Sequence, residues 1–354
     1  MRMLIKTALF FVVLLLTFSC EFRPLDELSN THYVRVYIDE HIKNTTEGFY
    51  NPDNVKPEYK RPGVMRVTLA DRNTGKVVAE RYLRSQGDDE QGHYYDGYII
   101  CDPGEWSLLS WNFDTETTQI EESSNQHMAK AFTNKIASHL YSALPSRLNK
   151  KADGDDVYRN ETIVYEPDHL FVSEAQDVDI KYNMELDTLR TPSGEYFRAN
   201  TIVEAWYIQV NVKGVSYLSS SLSLITGLSG SKKLYTSDLD SKNPVTLYFD
   251  MLGETKSKAD DDTGIIYSTF YTFGKLPDFE NGFEVTFDIQ TIYGTPVTAK
   301  FDITDEFQTE MAKEHRWIIL DKTIEIPGPP DSGSGGGFSP GVKDWNDVNT
   351  DLII

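Results

Sequence analysis

Residues 96–120, DGYIICDPGEWSLLSWNFDTETTQI, decide the fold. The runs on either side of Asp102-Pro103-Gly104 are rich in β-branched and aromatic residues, as half-buried pleated strands are. Proline presets φ for the first turn position and glycine accepts a positive φ, so the pair separates two strands. The same period-two pattern extends outward in both directions. Upstream lie HYVRVYI (32–38), MRVTLAD (65–71) and, after the turn Arg72-Asn73-Thr74-Gly75, KVVAERYL (76–83). Downstream, VDIKYNMEL (178–186) alternates Val178, Ile180, Tyr182, Met184 and Leu186. IVEAWYIQVNVKG (202–214), PVTLYFDML (244–252), IIYSTFYTFG (265–274), FEVTFDIQTIYG (283–294), KFDITDE (300–306) and WIILDKTIEIP (317–327) follow, with turns between them.

One segment breaks the pattern. In residues 123–145, Phe132, Ile136, Leu140 and Leu144 recur every four residues, Ser124 can cap the start and Pro145 ends the run. This spacing predicts a single amphipathic helix on the side of a sheet. The polar stretch 149–160 reads as a surface loop. The chain is therefore expected to be all-β with one helix, built from antiparallel β-sandwiches. Nothing alternates helix with strand, which argues against a parallel sheet.

The N-terminus, MRMLIKTALFFVVLLLTFSC, reads as a secretory signal: Arg2 and Lys6 precede an apolar run too short to span a membrane. It stops at Ser19-Cys20, the pattern of a bacterial lipoprotein whose Cys20 thiol receives diacylglycerol. Thr17 stands where leucine is usual. The competing reading is an ordinary signal peptide with an incidental cysteine. Cys101 is the second of two cysteines and has no partner once Cys20 is acylated, so it is expected to be a small buried residue.

Removal of residues 1–19 takes away Arg2 and Lys6, and the net charge goes from −21 to −21 − 2 = −23. A chain that acidic does not suit nucleic acid. The remaining length supports two domains, placed at 20–172 and 173–327. Residues 328–354 form a Pro/Gly/Ser linker, DSGSGGG, and a C-terminal strand segment ending in Leu352-Ile353-Ile354. Val342, Val348, Thr350, Leu352 and Ile354 are spaced to share one face of a strand, with Trp345 as an anchor. Such a segment can dock in a partner's sheet, fold back as the last strand of its own domain, or stay unpaired; the reading adopted is docking by strand addition.

The chain's chemistry is sparse. Its seven histidines, at 32, 41, 93, 127, 139, 169 and 315, make no metal pattern, and no GxSxG, P-loop or dinucleotide fingerprint occurs. Acidic runs at 153–156 and 260–262 lack an EF-hand spacing. Of five tryptophans, Trp106, Trp111, Trp206 and Trp317 lie in strand patterns where core packing is the usual role, which leaves a sugar-stacking platform as the lesser alternative. No enzyme activity and no cofactor beyond a covalent lipid at Cys20 are expected.

Several stretches together resemble the fimbrial anchor lipoproteins and minor fimbrillins of Bacteroidales-type (type V) pili. They are the start at Cys20, the turn at 71–75, DPGEWSLLSWNFDTETT (102–118), YEPDHLFVSE (165–174), VNVKGVSYLSSSLSLITGLSGS (210–231), STFYTFG (268–274), FDITDEF (301–307) and HRWIILDKTIEIP (315–327). The resemblance implies two tandem transthyretin-like β-sandwich domains and anchorage in the outer membrane through the acylated Cys20, facing the cell surface. It further implies other pilin subunits as partners at the base of a pilus. A surface glycan-binding lipoprotein is the alternative.

Overall fold

The turn between strands β2 (Met65–Asp71) and β3 (Val77–Leu83) shows local chemistry setting a hairpin. Asp71 Oδ1 accepts hydrogen bonds from the Thr74 hydroxyl (2.8 Å), the Thr74 amide (2.8 Å) and the Asn73 amide (3.2 Å). These bonds, the hydroxyl's foremost, hold the Asp71 carboxyl below the ordinary carboxylate range. Gly75 then takes φ 70°, and its amide donates to the Asp71 carbonyl at 2.7 Å. The structure, a computed structural model, describes residues 30–39, 60–137, 161–181, 188–255, 262–276 and 282–329.

The first large sheet contains β1 (Thr31–Ile38), β2, β3, β4 (Ser85–Asp89), β5 (Gly92–Ile100), β6 (Gly104–Asn112), β10 (Phe171–Ile180) and β11 (Phe197–Thr201), in the order β3-β2-β6-β10-β11-β1-β5-β4. The two strands of the 96–120 stretch are not partners: β5 pairs with β1 and β4, whereas β6 pairs with β2 and β10. The Pro103-Gly104 turn thus carries the chain from one part of the sheet to the other. Inward side chains of β1 (Val34, Val36, Ile38) and β5 (Tyr95, Ile99) share one core with those of β2 (Val67, Leu69), β6 (Leu108) and β10 (Val178, Ile180).

The second large sheet contains β12 (Glu204–Lys213), β13 (Leu218–Ser229), β15 (Pro244–Thr255), β16 (Thr263–Thr272), β17 (Glu284–Thr291), β18 (Pro296–Asp302) and β19 (Trp317–Glu325), in the order β18-β17-β13-β15-β16-β12-β19. Strand β15 changes partner along its length. It pairs with β13 from Pro244 to Met251 and with β16 from Leu252 to Thr255. The core here holds Trp206, Ile208, Val210, Phe249, Phe270, Phe287, Ile318 and Leu320, all buried. A short helix, α1 (Glu310–His315), leads into β19; the Thr309 hydroxyl accepts from the Ala312 amide at 3.2 Å and caps it.

The expected all-β character is what the structure shows. Three readings need correction. Residues 123–137 are not helical: β8 (Lys130–Thr133) pairs with β7 (Thr118–Glu121) and with β14 (Ser231–Lys233). The four-residue spacing of Phe132 and Ile136 masks a period-two pattern of small buried residues, Ala129, Ala131 and Thr133, which the strand buries. Residues 138–144 of the expected helix lie outside the described residues. The expected boundary at 172/173 falls inside β10, which stays hydrogen-bonded to β6 as far as Ile180. VDIKYNMEL therefore begins as the end of a first-sheet strand, and β11 extends that sheet to Thr201. Third, pairing is not wholly antiparallel: β1–β11, β12–β19 and β9 (Thr162–Tyr165)–β15 are parallel, each joining strands far apart in sequence.

Candidate functional site

The lipidation candidate Cys20 and the docking candidates Val342, Trp345, Val348, Leu352 and Ile354 lie outside the described residues. What the structure places are the points from which their segments leave. Strand registers fix those points. Within the first sheet, Phe171 and Val172 (start of β10), Trp111 (end of β6) and Thr201 (end of β11) lie together. Leu109, Trp111, Leu170 and Val172 pack there with Val203, Leu234 and Phe273 from the second half, so this end is the junction. Strand β1 runs parallel to β11 and so points toward the junction, with Thr31 at the opposite pole. Strand β12 starts at Glu204 beside the junction and runs away from it. β19 is parallel to β12, so Glu325 ends at the far pole of the second sheet, paired with Lys213. The N- and C-terminal segments leave from opposite ends.

At the first pole the chain start is pinned: the Cys101 amide donates to the Asn30 carbonyl at 2.9 Å, and Asn30 Nδ2 donates to Asp102 Oδ1 at 2.8 Å. Cys101 is buried and unpaired, and burial pushes its thiol up to about 11. On the outer face, Thr31 stands opposite Ile100 and Tyr33 opposite Tyr98. Ile100 is 68 % exposed and Tyr98 52 % exposed. The Tyr33 and Tyr98 rings meet edge to face at 5.4 Å, and the Tyr33 hydroxyl donates to Asp96. Toward the junction the same face closes: Arg35 lies 3.8 Å over the Tyr94 ring, and Tyr37 is buried between Tyr94 and Tyr196.

At the far pole, the Gly214 backbone adopts φ 84°, and an added Cβ would lie 2.2 Å from the Ile326 carbonyl oxygen. Only glycine allows this close approach. Asp262 binds the neighbouring turn, accepting from the Ser216 amide (2.9 Å) and hydroxyl (2.7 Å). That role accounts for one residue of the 260–262 acidic run. Beyond Ile326 the chain passes the Tyr217 ring at Gly328. Tyr217 stacks obliquely on Tyr293 at 5.9 Å, and the Ile292 amide donates to the Tyr217 carbonyl at 2.9 Å. Leu252, Ile292 and Tyr293 are exposed here. Strand β19 ends the strand order of the second sheet, so among the described residues its outer edge carries no strand.

The junction itself was not anticipated. The segment around Pro167 cements both halves: Asp168 Oδ2 accepts from the amides of Glu116 (3.0 Å), Thr117 (2.7 Å) and Thr118 (2.7 Å) and from the Thr117 hydroxyl (2.9 Å). Glu166 reaches the second half, accepting from the Tyr271 amide at 2.7 Å. Burial raises its carboxyl to about 7. Lys232 returns the contact, donating to the carbonyls of Ile202 (3.0 Å) and Phe273 (3.4 Å), and burial lowers its ammonium's pKa. Glu161, also raised by burial, accepts from the Thr246 hydroxyl at 2.9 Å and the Gly227 amide at 3.2 Å. The sequence held one signal: in YEPDH a proline forces the preceding Glu166 into extended backbone between two strands.

Among the described residues, no group of three or more His, Cys, Asp or Glu side chains is placed to hold a metal. Trp111, Trp206 and Trp317 are buried core residues, and Trp106 is half-buried with its ring N–H on the Asp102 carbonyl at 2.9 Å. No helix among the described residues is long and apolar enough to cross a membrane.

Residues 80–250 match the model of a family described as a domain of unknown function, DUF5119. A Bacteroides ovatus protein named as a fimbrium anchoring subunit, Fim4B, is 21 % identical over 318 residues, covering 83 % of this chain and 85 % of that one. A crystal structure of a B. ovatus protein described as an adhesin has a TM-score of 0.52 at 19 % identity, covering 88 % of this chain and 98 % of that one. The fimbrial anchor protein Mfa2 of Porphyromonas gingivalis has a TM-score of 0.41 at 14 % identity, covering 82 % and 88 % respectively. Over most of both chains this protein is thus similar in sequence to a fimbrium anchoring subunit and in fold to a protein described as an adhesin.

Proposed function

We propose that this chain is a lipid-anchored fimbrial subunit at the membrane end of a surface appendage, joined to the next subunit by strand addition. Acylated Cys20 holds one end, and residues 338–354 engage a neighbour at the other. The observation that carries the reading is the placement of the two exits at opposite poles, because a subunit that links a membrane to a filament needs its attachments at opposite ends. The open edge of β19 and the exposed Leu252, Ile292 and Tyr293 beside the C-terminal exit supply main-chain hydrogen-bonding groups and apolar area where the next subunit would sit. The role is non-enzymatic. Glycan stacking is disfavoured because three of the tryptophans are in the core.

Two variants test this in cells. Cys20→Ser moves the protein from the membrane fraction to the soluble fraction. Deletion of residues 338–354 leaves the protein in the membrane fraction and its melting temperature unchanged, while fimbriae are shed into the medium. A truncated protein that melts earlier while fimbriae stay attached refutes the docking role and identifies the tail as a strand of its own sheet.

A further inference from the structure

The fimbrial reading explains the two exits but not the apolar face beside the first. On the outer side of β1 and β5, exposure rises toward the pole. Tyr37 and Tyr94 pack together at the junction-side end of the strands, Arg35 is paired with Asp89 (3.2 Å) and Asp96 (3.4 Å), and beyond them Tyr98 and Ile100 stand open. Ile100 is the most exposed large apolar side chain among the described residues. It sits across from Thr31, one residue past the Asn30 to which the Cys101 amide is bonded. Val78 is 49 % exposed at the same end, on the β3 edge.

We infer that this pole seats directly on a lipid bilayer, with Ile100 and Tyr98, flanked by Tyr33, entering the headgroup layer. The inference rests on acylation of Cys20. Three observations select a lipid surface as the occupant. First, the tether is short: the ten residues from Cys20 to Asn30 span at most about 36 Å even fully extended. The ten-residue strands β10 and β12, laid end to end across the junction, reach about 66 Å. The pole at Thr31 is therefore the part of the molecule kept nearest the acyl chains. Second, the patch has interfacial chemistry: an aliphatic side chain at the tip and tyrosines behind it, whose rings are apolar and whose hydroxyls are polar. Third, the charges at this pole are partly neutralised among themselves. Arg72 bridges Glu105 (3.1 Å) and Asp177, and Lys181 pairs with Asp179 (3.5 Å). The residual acidity matches a zwitterionic surface better than an anionic one. Seating at this pole holds the C-terminal exit away from the membrane.

The experiment uses the full lipidated chain in phosphatidylcholine vesicles, carrying Ile100→Cys or, at the opposite pole, Ile292→Cys. Each is labelled with a polarity-sensitive fluorophore. Cys101 stays unlabelled because it is 6 % exposed and its thiol is pushed up to about 11. Both substituted side chains are exposed, so folding is preserved. Expected on reconstitution is a blue shift at position 100, with quenching by a lipid-attached quencher, and neither at position 292. Vesicle flotation is scored in parallel. A protein that does not float overturns the anchorage and this inference with it. A floating protein whose probe at 100 stays as wet as that at 292 overturns the seating alone. A blue shift at 100 without lipid quenching also overturns it, and identifies a second protein copy as the occupant.

Discussion

Replacing Glu166 with glutamine should stabilise the protein at pH 8 and leave it nearly unchanged at pH 4. The Glu166 carboxyl, at the junction, is raised by burial from the ordinary 4.5 to about 7, with Asp250 adding to the rise and the Tyr271 amide opposing it. In the unfolded chain the group titrates near its ordinary value. Between pH 4.5 and 7 the folded state therefore binds more protons than the unfolded state, and its stability falls as pH rises. The shift of 7 − 4.5 = 2.5 units corresponds to about 3 kcal/mol lost by pH 8. Glutamine keeps a carbonyl oxygen for the Tyr271 amide and never ionises, so Glu166→Gln should recover about 3 kcal/mol at pH 8 and change stability by less than about 0.5 kcal/mol at pH 4. Urea unfolding of the mature chain carrying Cys20→Ser, with and without Glu166→Gln, at both pH values gives the double difference. It cancels every other titrating group. An equal effect of the substitution at the two pH values, or a less stable glutamine variant at pH 8, would refute the argument that burial controls this carboxyl.

Two further substitutions probe the same junction. Lys232→Met removes the ammonium that donates to the Ile202 and Phe273 carbonyls and should cost about 1–3 kcal/mol in urea unfolding, with the loss reduced if water replaces it. Asp168→Ala deletes one oxygen that accepts from three amides and a hydroxyl; a loss of about 2–4 kcal/mol is expected. Limited proteolysis of the Asp168→Ala protein should cut first within residues 113–118, and cutting elsewhere first would place the role of Asp168 outside that turn.

The strands were legible in the sequence because burial on one face imposes period two, and β1, β2, β12 and β16 appear close to where alternation put them. The β8 region misled because its buried residues are alanines and a threonine, which carry little periodic signal beside Phe132 and Ile136. Partner choice was not legible at all. That β5 and β6 pair elsewhere, or that β1 lies parallel to β11, depends on contacts between residues far apart in the chain. The junction residues escaped for the same reason: Glu166, Lys232 and Tyr271 acquire their environment only when the two halves meet. The pole patch was hidden because Tyr98-Ile99-Ile100 is an unbroken apolar run whose pattern does not say which side chains face out, whereas the fold turns Tyr98 and Ile100 outward.

The interlaced pairing has a consequence for how such a chain is made. β1 is complete only when β11 arrives, β9 waits for β15, and β8 waits for β14. A nascent chain cut off at residue 172 would hold strands belonging to both sheets and the full set of neither. The first sheet cannot close before β11 is made and the second not before β19, and high contact order of this kind folds slowly. A compact first half has no means of forming until residue 201 has been made, so a chain paired in this way stays an open thread for more than half of its synthesis.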